Sequence, residues 1–318
     1  MVLMNKNKKR FLSLFLTISL FLSSKIVGKN IDNLFAEFYY GNYLDDTSIE
    51  KIIDYDSSYG IKYVGRYVPQ GVCVINDKTI VSLYDSLGLS NSILCVYNHD
   101  SNTYSKVNLD MTAHVGGICY DDINELLWVT GKSGNVRCYD INDLDKSSIK
   151  SLSGDIFVGD ELINHKGVCS AAYITINSNK LYVGNFVLHG NGILKEYDIL
   201  KNGNDIKLNY VKDYVAPNKT QGICFYAKDD KEYIMFSRSY GTEIDSLLHI
   251  YEFDENFNAN ISNSTQYYMD PMLEQVVIND DELFAVFESN ASFYSDGSYE
   301  DDLVSVDINR LIKKHEIN

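Results

Sequence analysis

The sequence predicts an all-β fold: a five-bladed β-propeller closed by an N-terminal strand. A four-residue phrase occurs five times, at steps of 46, 50, 55 and 53 residues, which suits a four-stranded antiparallel blade and is too long for a leucine-rich or ankyrin unit. Each copy leads into the same order of polar turn, apolar strand and a further strand that usually ends in an aromatic residue. The composition agrees, with 25 tyrosines and only three prolines in 318 residues, because aromatic and β-branched side chains favour a pleated, half-buried surface. Few segments carry apolar residues at helical spacing.

The phrase reads Gln70-Gly71-Val72-Cys73, Gly116-Gly117-Ile118-Cys119, Lys166-Gly167-Val168-Cys169 and Gln221-Gly222-Ile223-Cys224, with a degenerate fifth copy at Glu274-Gln275-Val276-Val277. Each is expected to form the innermost strand of a blade. A turn such as Asp121-Asp122-Ile123-Asn124 then precedes a second strand, Leu126-Leu127-Trp128-Val129; in the fifth unit Asn279-Asp280-Asp281 precedes Leu283 to Phe287. Third strands end in Tyr97-Asn98, Tyr139-Asp140, Tyr197-Asp198, Tyr251-Glu252 and, without the aromatic, Val306-Asp307. Only a short tail, Leu311 to His315, follows the last unit, so the fifth blade lacks an outer strand. The stretch from Ile61 to Val68 is the expected replacement, since a ring closed by both chain ends keeps only short, protected edges. Between the leader and this strand, Asp45 to Asp56 reads as a short helix with weak caps. The glycines of the phrase are expected where strands crowd toward the axis.

Residues 1–28 read as a secretory signal sequence. Lys6, Lys8, Lys9 and Arg10 precede an apolar run from Phe11 to Leu22, shorter than the ~20 residues of a comfortable transmembrane helix. The protein is therefore expected to be secreted or extracytoplasmic, with an uncleaved signal anchor as its one expected form of membrane attachment. A single propeller domain is expected over 31–318. Removing the leader would take five of the 28 basic residues and none of the 44 acids, moving the net charge from −16 to near −21. Such a surface repels phosphate backbones and anionic membranes, which excludes nucleic acid as a partner and favours cationic or neutral ligands.

Six cysteines in an exported chain ordinarily suggest disulfides. Here Cys73, Cys119, Cys169 and Cys224 occupy one position of the repeat, and equivalent positions on neighbouring blades should lie around 10 Å apart. A disulfide needs Cα atoms within about 7 Å, so buried free thiols are expected. Nor do any two cysteines show zinc-site spacing.

In a blade of this order, the start of the first strand and the end of the second meet at one rim. The first set there is Gln70, His114, His165, Gln221 and Glu274; the second is Tyr84, Asp85, Lys132, Asn185, His189, Arg238, Tyr240, Glu288 and Tyr294. Two histidines, a Glu and two amides at a funnel mouth, with a second Glu and an Arg beside them, define a candidate polar ligand site. Glu274 and Glu288 suit either acid–base work or the oxygen coordination of a divalent cation such as Ca²⁺, and the histidines suit a transition metal or a base. The competing reading is that His114 and His165 only satisfy blade backbones. No Walker loop, zincin helix or nucleophile elbow is present in the sequence.

The phrases Ala113-His114-Val115-Gly116-Gly117-Ile118, Lys219-Thr220-Gln221-Gly222-Ile223 with Ser237-Arg238-Ser239-Tyr240-Gly241, and Phe287-Glu288-Ser289 resemble those of uncharacterised secreted bacterial five-bladed β-propeller proteins, over most of residues 69–308. That resemblance implies the fold and no particular reaction. More weakly, Thr220-Gln221-Gly222 and Phe287-Glu288-Ser289 resemble the Thr-Gln-Gly and Glu-Ser phrases of plant-type glutaminyl cyclases, also five-bladed propellers. Here the two phrases fall in different blades, and the tryptophan-rich pocket of that family has one Trp to match it, Trp128, within a strand. Two functions follow as expectations. One is a protein that binds a small molecule, carbohydrate, peptide or cation at the axial funnel, with Tyr84, Tyr240 and Tyr294 stacking on it or hydrogen-bonding it. The other is a hydrolase, lyase or cyclase using Glu274, Glu288 and the histidines.

Overall fold

The structure, a computed structural model, describes residues 50–51, 57–58, 66–158, 171–259, 263–291 and 303–317, all within a compact unit from Glu50 to Asn318. Two short strands come first, β1 (Glu50–Lys51) and β2 (Ser57–Ser58). Blade one is β3 (Tyr67–Ile75), β4 (Lys78–Asp85), β5 (Ile93–Asn98) and β6 (Thr103–Asn108); blade two is β7 (Ile118–Asp121), β8 (Leu126–Thr130), β9 (Asn135–Asp140) and β10 (Ile156–Phe157). Blade three is β11 (Tyr173–Asn177), β12 (Lys180–Gly184), β13 (Gly192–Asn202) and β14 (Asp205–Ala216); blade four is β15 (Thr220–Lys228), β16 (Lys231–Arg238), β17 (Ser246–Glu252) and β18 (Ser264–Met269). Blade five is β19 (Leu273–Asn279), β20 (Glu282–Phe287) and β21 (Val304–Asp307), completed by β2 and followed by the helix α1 (Ile308–Ile317).

Each blade is an antiparallel meander, and five apolar clusters lie one between each pair of neighbouring blades. The fifth of these joins Val72, Val81 and Leu83 of blade one to Phe284 and Val286 of blade five, which closes the ring. Two-residue turns in left-handed conformations, such as Ser178-Asn179 and Asp229-Asp230, connect first to second strands and match their right-handed twist. They also fix the register of each hairpin.

Three expectations are corrected, and the tail, for which no element was expected, takes a form of its own. The strand that completes blade five is Ser57–Ser58, paired with Ser305 and Val304, and not Ile61 to Val68. Tyr67 and Val68 are already committed to blade one, opposite Asp85 and Tyr84, while 61–65 lie outside the described residues. Within the stretch read as a helix, Glu50 and Lys51 form a strand parallel to β18; its other described features stop there. The innermost strand of blade three is Tyr173–Asn177, because the tight Ser178-Asn179 turn sets Asn177 opposite Lys180 and Tyr173 opposite Gly184. The phrase Lys166 to Cys169 lies upstream, outside the described residues, and Thr175 takes the place expected for Cys169. Finally, the tail is helical: α1 buries Ile308, Leu311 and Ile312 against blades four and five, and Tyr267 donates to the Leu311 carbonyl at 2.8 Å. The signal sequence also lies outside the described residues.

The position just before each innermost aliphatic residue faces the crowded axis: Gly71, Gly117, Tyr173, Gly222 and Gln275. A Cβ on Gly117 would sit 2.7 Å from the Ile174 amide nitrogen, and one on Gly222 would sit 2.6 Å from the Gln275 Cα. These glycines are required by close approach, as expected from the sequence. The space they leave is used by Gln275, whose Oε1 passes the place a Gly71 Cβ would occupy and accepts from the Ile118 amide at 3.0 Å. Its Nε2 donates to the Ile118 carbonyl at 2.8 Å, so one side chain ties blade five to blade two across the axis.

Hydroxyls on the second strands link neighbouring blades in the same region. Ser82 accepts from the Gly71 amide at 3.0 Å and donates to the Val115 carbonyl at 2.8 Å, while Ser237 donates to the Glu274 carbonyl. The five described cysteines, Cys73, Cys95, Cys119, Cys138 and Cys224, are free, and burial raises the pKa of each thiol.

Candidate functional site

Three of the rim residues owe their direction to β-bulges. Pairing between β3 and β4 skips Gln70, pairing between β15 and β16 skips Gln221, and pairing between β19 and β20 skips both Glu274 and Gln275. A bulged residue leaves the ladder and can be re-aimed, which is why bulges gather at barrel rims and beside sites. Here the bulges turn Gln70, Gln221 and Glu274 into one cavity of about 310 Å³ at the end of the axis. All five blades line it. His114 and Gly116 come from the entry to blade two, Ala172 and Phe186 from blade three, Ser239 to Thr242 from blade four, and Met272 and Glu288 from blade five.

The backbone at the entries is strained in a repeated way. Val115, Ala171, Lys219 and Met272, each just ahead of an innermost strand, have φ of 52°, 55°, 56° and 67°. Left-handed conformations are rare for non-glycine residues and unfavourable for β-branched Val. Four blades thus enter the cavity wall through the same kink.

The chemistry of the cavity centres on two carboxyls. Glu274 is buried, and that burial, with the Glu288 charge beside it, holds its pKa well above the usual carboxylate range. Glu288 is raised as well, chiefly by burial, with hydrogen bonds from Gln70 and Tyr84 acting in the opposite sense. Gln70 Nε2 donates to Glu288 Oε1 at 2.7 Å and to the Pro69 carbonyl at 2.8 Å; Gln221 Nε2 donates to Glu274 Oε1 at 3.4 Å. Because both acceptors fix the Gln70 amide, its Oε1 is left buried with no donor. His114 is exposed to solvent within the concavity, yet the protein packed round it lowers its pKa to about 4, so its ring is neutral near pH 7.

Of the residues expected at the rim, Gln70, His114, Gln221, Tyr240, Glu274 and Glu288 line the cavity together. Tyr84 stands behind them, with its ring centroid 4.3 Å from that of His114. His165 and Tyr294 lie outside the described residues. Arg238 is a correction: buried at 2% exposure, it donates to the Asn218 carbonyl and to His249 Nε2, both at 2.8 Å, and to the Asn218 side chain. It braces the blade-four loop and does not line the cavity. Asp85 and Asn185 likewise serve their own loops, Asp85 accepting from the amides of Leu87, Leu89 and Ser90 and Asn185 from that of Ile193. Lys132 and His189 are exposed and lie off the cavity.

Sequence reasoning missed Phe186, Met272 and Lys219. Phe186 stacks near Tyr240, centroids 6.4 Å apart, and sits two residues beyond β12, where loop length alone gave no direction. Lys219 is fully buried beside this wall, its pKa pushed down to about 7 by burial and by the Arg238 charge. Its place before Thr220-Gln221 was the available signal. Among the described residues no group of three or more His, Cys, Asp or Glu is placed to hold a metal ion.

Fold and cavity together define a five-bladed β-propeller with a polar axial funnel. No family model and no curated protein matches the chain. Among solved structures, it is similar to Kuenenia stuttgartiensis hydrazine synthase, at 12% identity and a TM-score of 0.42, over 71% of this chain and 57% of that one. The chain thus spans a little over half the length of that protein.

Proposed function

We propose that this chain is an exported propeller that binds a small polar ligand, a small molecule, carbohydrate or peptide, in the axial funnel, and that Glu274 and Glu288 carry the recognition. Export is inferred from the N-terminal sequence. The observation that carries the binding reading is the pair of carboxyls in one open cavity, buried Glu274 aimed there by its bulge and half-buried Glu288 beside it. Buried acids without a cationic partner are costly to keep, so a ligand that uses them explains their presence. A divalent cation such as Ca²⁺ stays among the candidate ligands, with Glu274 and Glu288 as its carboxylate donors and the amides of Gln70 and Gln221 beside them.

A second reading, an acid–base enzyme of the hydrolase, lyase or cyclase type, is favoured by one observation. Two carboxyls that resist ionisation stand in the same cavity as a neutral imidazole, so groups able to donate and to accept a proton are held together.

Thermal melts of the purified protein against sugars, short peptides, small amines and divalent salts test the binding reading. A funnel ligand present at a hundred times its Kd stabilises the wild type by about 2.7 kcal/mol, and Glu274→Gln with Glu288→Gln should remove that shift. A ligand whose shift survives both substitutions would place binding elsewhere. Turnover lost in Glu288→Gln with affinity retained would select the enzyme reading.

A further inference from the structure

We infer that the funnel takes a small organic cation whose charged group carries N–H donors, a primary ammonium or a guanidinium; this rests on the funnel being a ligand site. Three features of the cavity point the same way. Among the described residues its lining holds two acidic side chains, Glu274 and Glu288, and no Lys or Arg. Its hydrogen-bonding capacity is tilted toward acceptors: four carboxyl oxygens, plus the fully buried Gln70 Oε1 that has no donor. Of the donors in the lining, Gln70 Nε2 and Gln221 Nε2 already face the two carboxyls, while the neutral His114 ring and the hydroxyls of Ser239, Tyr240 and Thr242 can accept as well as donate. Part of the wall is aromatic, formed by Tyr240 and Phe186, whose ring faces attract cations.

Each alternative fits less well. A carboxylate or phosphate would meet two acids and, among the described residues of the lining, no cation. A neutral sugar would satisfy the acceptors but leave the two acids facing each other uncompensated. An N–H-bearing cation does both: it offers two or three donors and its charge offsets the repulsion between Glu274 and Glu288. Charge-assisted hydrogen bonds of this kind are the strong ones. A quaternary ammonium would use the charge and the aromatic wall, but it has no N–H for Gln70 Oε1.

Binding of such a cation should draw both carboxyls into their ionised form. The groups that face them are Gln70 and Tyr84 from blade one, His114 from blade two, and Gln221 from blade four, with Lys219 and Arg238 buried behind that last wall. With His114 already neutral, the groups that can give up a proton on binding are the carboxyl pair and Lys219 behind that wall.

Calorimetric titration of the full chain with butylammonium, butylguanidinium, tetramethylammonium and galactose tests this, each in two buffers of different ionisation enthalpy. The expected result is that the first two bind with net proton release and the last two bind at least about 10-fold more weakly or not at all. Glu274→Gln and Glu288→Gln should each weaken butylammonium by about 10- to 100-fold. Gln70→Met should also weaken butylammonium, and the fluorescence of Trp128 checks that each variant is folded. Galactose binding more tightly than either N–H cation overturns the cation inference and leaves the ligand site standing. Equal affinity for butylammonium and tetramethylammonium, or cation binding without proton release, also overturns it. If none of the four probes binds and no ligand shifts the melt of the wild type, the site itself fails.

Discussion

Replacing Gln275 tests the axis directly. Thr130 donates to the Gly117 carbonyl at 2.9 Å, so the next residue, Ile118, turns its own N–H and C=O away from β8 and toward the axis. An innermost strand has no neighbour there, and both groups of Ile118 are met only by the Gln275 amide, at 3.0 and 2.8 Å. Gln275 is 1% exposed and Ile118 is fully buried. Removing the amide leaves two buried backbone groups unpaired, at about 1–3 kcal/mol each, so Gln275→Met should cost about 2–6 kcal/mol. Gln275→Ala should cost more, because it adds a cavity. Against a domain stability of about 5–15 kcal/mol this is a large share. Urea unfolding followed by Trp128 fluorescence measures it well, since that residue is the only tryptophan and is fully buried. The midpoint should fall with little change in slope. A loss below about 1 kcal/mol in the Met variant would mean that the cross-axis bonds do not hold the blades together, and the reasoning would be refuted.

Two further outcomes follow from the same coordinates. Burial raises the folded-state pKa of Glu274 and Glu288 above their unfolded values, with the Glu288 charge adding to the rise of Glu274, so their contribution to stability is fully present below about pH 4.3 and is lost as pH rises through the folded values. Glu274→Gln should therefore be more stable than the wild type at neutral pH, by a margin that shrinks on acidification at up to about 1.4 kcal/mol per pH unit; a constant margin in paired melts would contradict this. Gly222→Ala would force a Cβ to 2.6 Å from the Gln275 Cα and 3.0 Å from the Glu274 carbonyl oxygen, backbone that cannot yield cheaply, and should cost about 1–3 kcal/mol in the same urea assay. An unchanged midpoint would show that blades four and five have room to part.

The blades were legible because a repeat forces equivalent strands into equivalent surroundings. Val72, Ile118, Ile223 and Val276 all lie buried where the phrase puts them. Blade three misled because Gly167-Val168-Cys169 copies the phrase in letters, while the Ser178-Asn179 turn fixes the true strand, whose axial residue is Tyr173 and not a glycine. Tyr173 needs its own space, and it takes it over Gly184, where a Cβ would lie 2.0 Å from its ring. For the site, residues whose direction follows from strand position, such as Gln70 and Glu274, were legible. Arg238 was not: it ends β16 at the rim, but Asn218 and His249 capture its guanidinium, a competition between partners that no spacing reveals. The closing strand was misplaced by a few residues because Ser57 and Ser58 carry no apolar pattern to mark them.

The bulge in blade five connects the two halves of this account. It frees two consecutive residues from pairing, and consecutive residues of an extended chain point opposite ways. Gln275 therefore turns into the axis and Glu274 into the cavity, and neither direction is available without the other. The Gln275 hydrogen bonds to Ile118 hold that backbone in place, and Ser237 adds a bond to the Glu274 carbonyl itself. A carboxyl whose charge is costly stays aimed at the open cavity because its neighbours are clamped. The bonds that close the propeller and the geometry that makes a ligand site are thus one structural device, and the strain at Met272, two residues earlier, is the local cost of setting it.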